Sequence, residues 1–153
     1  MYVDSAIVVK LLVREPDSQW FDRLLAGQVC DTSELALTEV RSALLAKERG
    51  GHITSRERVA ASDKFHSMVE DDVIRLFALN RLILDRATEI QIACHPHIPL
   101  RTLDAIHVAT CEMHRINKIC ATDLRMRAAA AQFAIAMLPA RMEDILGNPH
   151  GQH

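Results

Sequence analysis

Four carboxylates of the 153-residue chain stand where an acid needs a reason to be. Asp4 directly follows the apolar pair Tyr2-Val3, and Asp123 follows the run that ends at Ala121-Thr122, so each marks the point where a short strand gives way to a helix. Either one alone is explained as a helix N-cap, a position that Asp favours. Glu39 is different. Its helical neighbours three and four residues away are Leu35, Ala36, Ser42 and Ala43, with Leu37, Val40, Leu44 and Leu45 nearby, so its carboxylate lies on an apolar stripe. Asp104 likewise interrupts the apolar run Leu103, Ala105, Ile106, Val108 and Ala109, although Arg101 is a possible ion-pair partner and a first helical turn favours an acid. A carboxylate held on apolar surface needs a partner or a cation. If the four converge, their repulsion must be relieved by a proton or a cation, and an all-oxygen donor set favours Mg²⁺ or Mn²⁺ over Zn²⁺. A hard cation in such a cup activates water and neutralises charge on a phosphodiester.

The elements that would position these acids alternate between short strands and longer helices. Tyr2-Val3 is a strand, followed by helices over 5–13 and 17–25, a strand over 29–31, and a long helix that Ser33 caps and Gly50-Gly51 stops. Thr54-Ser55-Arg56-Glu57 matches a capping box for a helix reaching about Asp71. A strand over 73–76, a helix over 81–93 and the loop His95-Pro96-His97-Ile98-Pro99 come next. Thr102 caps a helix to about Arg115, followed by a strand over 118–121, a helix over 123–131 and a last strand over 133–137. This alternation predicts a three-layer α/β/α sandwich with a central, mostly parallel sheet. In such sheets the functional crevice lies beyond the carboxyl ends of the strands, where Asp4 and Asp123 stand. One domain over 1–146 is expected, with a polar tail over 147–153 expected to be disordered.

Composition narrows the field. Lys plus Arg number 18 against 20 for Asp plus Glu, a net charge of −2, which excludes a polybasic protein but not a local basic groove. Aromatics are only 4%, too few for a base-stacking platform. The cysteines at 30, 94, 111 and 120 have no CxxC spacing, which removes a zinc ribbon or thioredoxin-like site and predicts a reducing, cytoplasmic setting. The start MYVDSAIVV carries an acid where an export signal would carry bases, and no apolar run is long enough to span a membrane.

Several segments, in order, resemble one family. VDSAIVVKLLVREP is similar to the opening of PIN-domain proteins, especially the VapC-type toxins, in which an Asp follows the first strand and a Lys and a Glu-Pro pair come after. LALTEVRSALL looks like the second motif with Glu39 as its acid, LRTLDAIHVATC the third with Asp104, and ATDLRMRAAA the fourth with Thr122 and Asp123. The resemblance implies a PIN-like fold and a Mg²⁺- or Mn²⁺-dependent endoribonuclease that hydrolyses RNA phosphodiester bonds. Asp4, Glu39, Asp104 and Asp123 would be its catalytic and metal-binding acids, with Ser5 and Thr122 in support. It also implies the toxin of a toxin–antitoxin pair, a small VapB-like antitoxin as partner, and a homodimer. The family often carries a hydroxyl two residues after the first Asp, but here Ala6 stands there and Ser5 beside it has the hydroxyl. The alternative is a catalytically inactive PIN-like binding or scaffold protein whose acids are only caps.

Other polar residues are more simply explained. His107, one turn after Asp104, is expected to pack between helices or to support a site residue. His95 and His97 read as a surface loop, and Glu70-Asp71-Asp72 as a solvated run. Arg41, Lys47, Arg49, Arg56 and Arg58, with Arg125 and Arg127, could line a phosphate-binding groove beside the acids. Lys10 is expected to lay its stem along a surface. Val8, Val9, Leu12 and Leu45 are expected to offer apolar surface to the partner, which would insert an Arg or Lys among the acids.

Overall fold

A computed structural model describes residues 1–145. Strand β1 (Tyr2–Val3) leads into helices α1 (Ser5–Leu12) and α2 (Ser18–Leu25), then β2 (Cys30–Ser33), α3 (Ala36–Arg49) and α4 (Ser55–Glu70). Strand β3 (Ile74–Phe77) is followed by α5 (Arg81–Cys94), α6 (Thr102–Met113), β4 (Lys118–Cys120), α7 (Leu124–Gln132) and β5 (Ala136–Leu138), with a 3-10 turn at Met142–Asp144. The expected polar tail from residue 147 lies outside the described residues. Among the described residues no helix is long and apolar enough to cross a membrane.

The five strands run in the order β3-β2-β1-β4-β5, and every pairing is parallel. The period of two along a strand splits the core between the sheet's two faces. Tyr2 and Ile119 point to one face and pack with Ile83, Ile90, Val108 and Ala129 from α5, α6 and α7. Val3 and Cys120 point to the other and pack with Ile7, Phe21, Val40 and Phe65 from α1 to α4. The expected α/β/α sandwich is therefore present. The chain winds outward from β1 to β3, then crosses back to β4 and winds the other way, so the strand order reverses at β1. A reversal of this kind opens a crevice at the carboxyl ends of the strands, here those of β1 and β4.

Three local expectations are corrected. Ser33 does not cap α3 but closes β2, because pairing with β3 extends through Ser33 opposite Phe77; α3 starts at Ala36. Thr102 is the first residue of α6 rather than its cap, a place taken by the extended backbone of Arg101. The last strand starts at Ala136 because the end of α7 consumes Phe133 to Ile135. There the amide of Ile135 reaches the Ala130 carbonyl at 2.9 Å and that of Ala134 reaches Ala131 at 3.1 Å. This is a Schellman closure with Ala134 in the left-handed region at φ 57°. By contrast, the capping box at Thr54 and Glu57 and the stop at Gly50-Gly51 form as expected.

Candidate active site

Asp4 stands one residue beyond β1, held by its own amide on the Cys120 carbonyl of β4 at 3.1 Å. Its Oδ1 accepts from the Ile7 amide at 2.8 Å, so it is indeed the cap of α1. It is also almost wholly buried, at 4% exposure. Burial pushes its carboxyl up to about 6, and the charges of Glu39 and Asp104 push in the same direction against the Ile7 amide and His107. Asp123 likewise caps its helix, with Oδ1 accepting from the amides of Arg125 at 2.8 Å and Met126 at 3.1 Å. Burial raises its carboxyl, but the Arg125 guanidinium and these amides outweigh that and hold it below the ordinary range. The caps expected of these two acids and their position at the carboxyl edge are thus both realised.

Asp104 projects from the first turn of α6 into the same region. Burial raises its carboxyl first, the charge of Asp123 adds to the rise, and Arg101 and Arg125 oppose it. Arg101 acts only through its charge, with no ion pair to Asp104 among the described residues. One oxygen, Oδ2, is buried and has no hydrogen-bond partner. A buried carboxylate oxygen left bare costs free energy unless a cation or proton meets it.

Glu39 comes from α3, half-buried. Its Oε2 accepts from Ser5 Oγ at 2.5 Å and lies 2.7 Å from His107 Nε2. Desolvation raises its carboxyl, but the bonds to His107 and the Ser5 hydroxyl outweigh this and bring it below the ordinary range. On the far side of His107, Nδ1 is 2.7 Å from the Tyr2 hydroxyl. This chain of Tyr2, His107, Glu39 and Ser5 was missed at the level of sequence beyond the general expectation that His107 supports the site.

The four acids therefore meet around the crevice, coupled by charge from Glu39 through Asp4 and Asp104 to Asp123. Among the described residues, no group of three or more His, Cys, Asp or Glu side chains is gathered into a ready-made cage for a metal ion. The residues nonetheless fit a hard cation: the donors are all carboxylate oxygens, Asp104 Oδ2 is bare, and burial, with repulsion from neighbouring acids adding to it, lifts two of the carboxyls.

Beside the acids runs a groove of about 530 Å³ lined by Ser5, Lys10, Glu39, Lys47, Leu103 and Thr122, among others. Lys10 does not simply lie along a surface: its Nζ meets Glu15 at 2.6 Å and Asp17 at 2.8 Å, while Lys47 meets Glu15 at 2.5 Å. Two expectations fail. Arg127 is not free for phosphate, being 7% exposed and donating to the carbonyls of Ala121, Pro139 and Ala140. Val8 offers no partner surface, being fully buried in the core, and Val9, 4% exposed, shows only an edge to the groove. Arg41, Arg49 and Arg56 remain exposed, whereas Arg58 pairs with Glu48 at 2.6 Å. His95 and His97 lie exposed on their loop.

Comparison with known proteins agrees with this architecture. A model of the PIN domain matches residues 1–132. The chain is 33% identical over 141 residues to Ribonuclease VapC46 of Mycobacterium tuberculosis, covering 90% of this chain and 95% of that protein. The crystal structure of M. tuberculosis VapC20, described as a Sarcin-Ricin loop cleaving toxin, superposes with a TM-score of 0.65 at 22% identity. That superposition covers 84% of this chain and 93% of the other.

Proposed function

The chain belongs to the PIN-domain family, and on that footing we propose that it is a metal-dependent endoribonuclease, the toxin of a VapBC-type toxin–antitoxin pair. One observation carries the reading: four acids meet at the switch point of a parallel sheet, with Asp104 Oδ2 buried and bare. Asp4, Glu39, Asp104 and Asp123 would hold Mg²⁺ or Mn²⁺ through oxygen alone. When bound, such a cation supplies charge to a phosphodiester and lowers the pKa of water beside it.

The protein's own residues supply the rest. The Ile7 amide fixes one oxygen of Asp4, and the amides of Arg125 and Met126 fix one of Asp123, so neither carboxyl must be ordered when substrate arrives. Ser5 Oγ anchors Glu39. Thr122 lines the groove next to Asp123. Lys47 and Arg125 place positive charge on either side, where an RNA backbone would be positioned without being read. Activity on RNA is carried over from Ribonuclease VapC46, similar along nearly all of both chains. The same likeness supports a small VapB-like antitoxin as partner, reaching a basic side chain into the acids. A homodimer acting in the cytoplasm completes the proposal.

The test is a pair of measurements on wild type and on the double variant Asp4→Asn/Asp104→Asn. Mn²⁺ or Mg²⁺ should raise the melting temperature of wild type and have much less effect on the variant. RNA cleavage should fall by orders of magnitude in the variant while its circular dichroism spectrum stays native. A protein that uses Asp4 and Asp123 only as caps, a scaffold without catalysis, would give equal metal shifts and no cleavage in either form.

A further inference from the structure

Two polar side chains, His107 and Ser5, meet one oxygen of Glu39, and a third, Tyr2, stands behind His107. Tyr2 from β1 is 0% exposed, His107 from α6 is 2% exposed, and Ser5 from α1 is 7% exposed. Burying them is costly unless each is paired. A core that needed only volume would be filled more cheaply by Phe at Tyr2 and Leu at His107. With a neutral imidazole the donor logic allows one direction. An ionised carboxylate only accepts, so His107 presents Nε2–H to Glu39 Oε2 at 2.7 Å. Nδ1 then carries the lone pair and accepts from the Tyr2 hydroxyl at 2.7 Å. Burial holds that phenol far above its ordinary pKa, so it stays a donor. Ser5 Oγ gives its single proton to the same Oε2 at 2.5 Å. Both bonds fall on Oε2, which leaves Oε1 as the oxygen of Glu39 available to the groove.

We infer that His107, set in one tautomer by Tyr2, is a positioning residue that anchors Glu39 by Oε2 and so presents Oε1 to the cation. The inference rests on the proposed role of Glu39 as a ligand. A carboxylate pinned at one oxygen loses little freedom on binding metal, and partners of this kind typically govern affinity about 10- to 100-fold.

The experiment measures Mn²⁺ binding to the full chain by calorimetry, without RNA. His107→Asn keeps a polar group at the Nδ1 position but withdraws the donor from Glu39, and should weaken Mn²⁺ about tenfold. His107→Gln carries its amide nitrogen out to the Nε2 position and should retain most of the affinity. In a Glu39→Gln background, His107→Asn should have no further effect, as for residues that act through one another. Tyr2→Phe, which keeps the ring in the core, should shift the imidazole tautomer seen by ¹⁵N NMR and weaken Mn²⁺ less than His107→Asn does. The inference is overturned if His107→Asn binds as wild type, if Asn and Gln weaken binding equally, or if the wild-type imidazole carries a proton on Nδ1. Should His107→Asn fail to fold, Tyr2→Phe with unchanged tautomer and unchanged affinity overturns it as well. Unchanged affinity in Glu39→Gln itself would instead remove Glu39 from the ligand set, with Asp4→Asn/Asp104→Asn reporting whether the acid site survives.

Discussion

Arg125 lays its Nη2 3.2 Å from Asp123 Oδ2, so the acid beyond the end of β4 already carries a guanidinium on the oxygen that its capping bonds leave free. The same guanidinium also opposes, through its charge, the rise that burial and Asp123 impose on the carboxyl of Asp104. A cation entering the cup must compete with it. Arg125→Ala should therefore tighten Mn²⁺ binding a few-fold, read by calorimetry, while weakening the protein's hold on a non-cleaved RNA. Looser Mn²⁺ binding in Arg125→Ala would mean that the guanidinium orients Asp123 for the metal rather than competing for it.

Asp4 predicts an unusual pH dependence. Its folded carboxyl, pushed up to about 6 from 3.8, holds its proton more tightly than the unfolded chain does. Stability of the metal-free protein therefore falls as pH rises through that window, by about 3 kcal/mol from this group alone. Glu39 and Asp123 act with opposite sign, since their lowered carboxyls stabilise the fold above their unfolded pKa and lose that contribution as pH falls. The difference between wild type and Asp4→Asn isolates the first effect, because Asn keeps the cap on α1. In urea titrations with EDTA, Asp4→Asn should be the more stable protein at pH 7, and its advantage should shrink toward pH 4. Saturating Mn²⁺ should restore wild type at neutral pH.

Arg127 holds the fold, not a phosphate. Its guanidinium donates to Ala121 at 3.0 Å, to Pro139 at 2.7 Å and to Ala140 at 3.2 Å. Arg127→Met would leave three carbonyls without this donor and should cost about 2–4 kcal/mol in urea titrations. RNA affinity of the fraction that remains folded should be unchanged.

Ala134 offers a gain. An L-residue with a side chain in the left-handed region costs about 1 kcal/mol, and Gly relieves it. Ala134→Gly should raise the denaturation midpoint by the equivalent of about 0.5–1 kcal/mol with the slope unchanged.

The acids were legible in the sequence because each broke a local pattern. Asp4 and Asp123 ended strand-like runs, and Glu39 and Asp104 interrupted apolar helix faces, so periodicity alone marked them. The network behind Glu39 was not legible. It joins Tyr2 to His107 and His107 to Glu39 across three elements, and no spacing along the chain encodes which nitrogen of a histidine meets which oxygen. The last strand was started too early for a related reason: the chain leaves α7, as it leaves α6, without the expected residue. The usual signal is Gly, but Ala134 and Arg115 take the left-handed position here, at φ 57° and 56°. The burial of Arg127 was hidden too, since an Arg that satisfies three distant carbonyls has the same local surroundings as one that meets solvent.

The placement of β1 has a consequence for synthesis. This strand lies at the middle of the sheet, between β2 and β4, and the Asp4 amide hangs on the Cys120 carbonyl. During translation the earlier helices can gather against β1, β2 and β3, yet the crevice has only one wall until β4 has left the ribosome. Asp104 and Asp123 flank that same late strand. In a nascent chain the four acids therefore cannot come together until β4 is in place, and the order of the strands acts as a timer on when the crevice is complete.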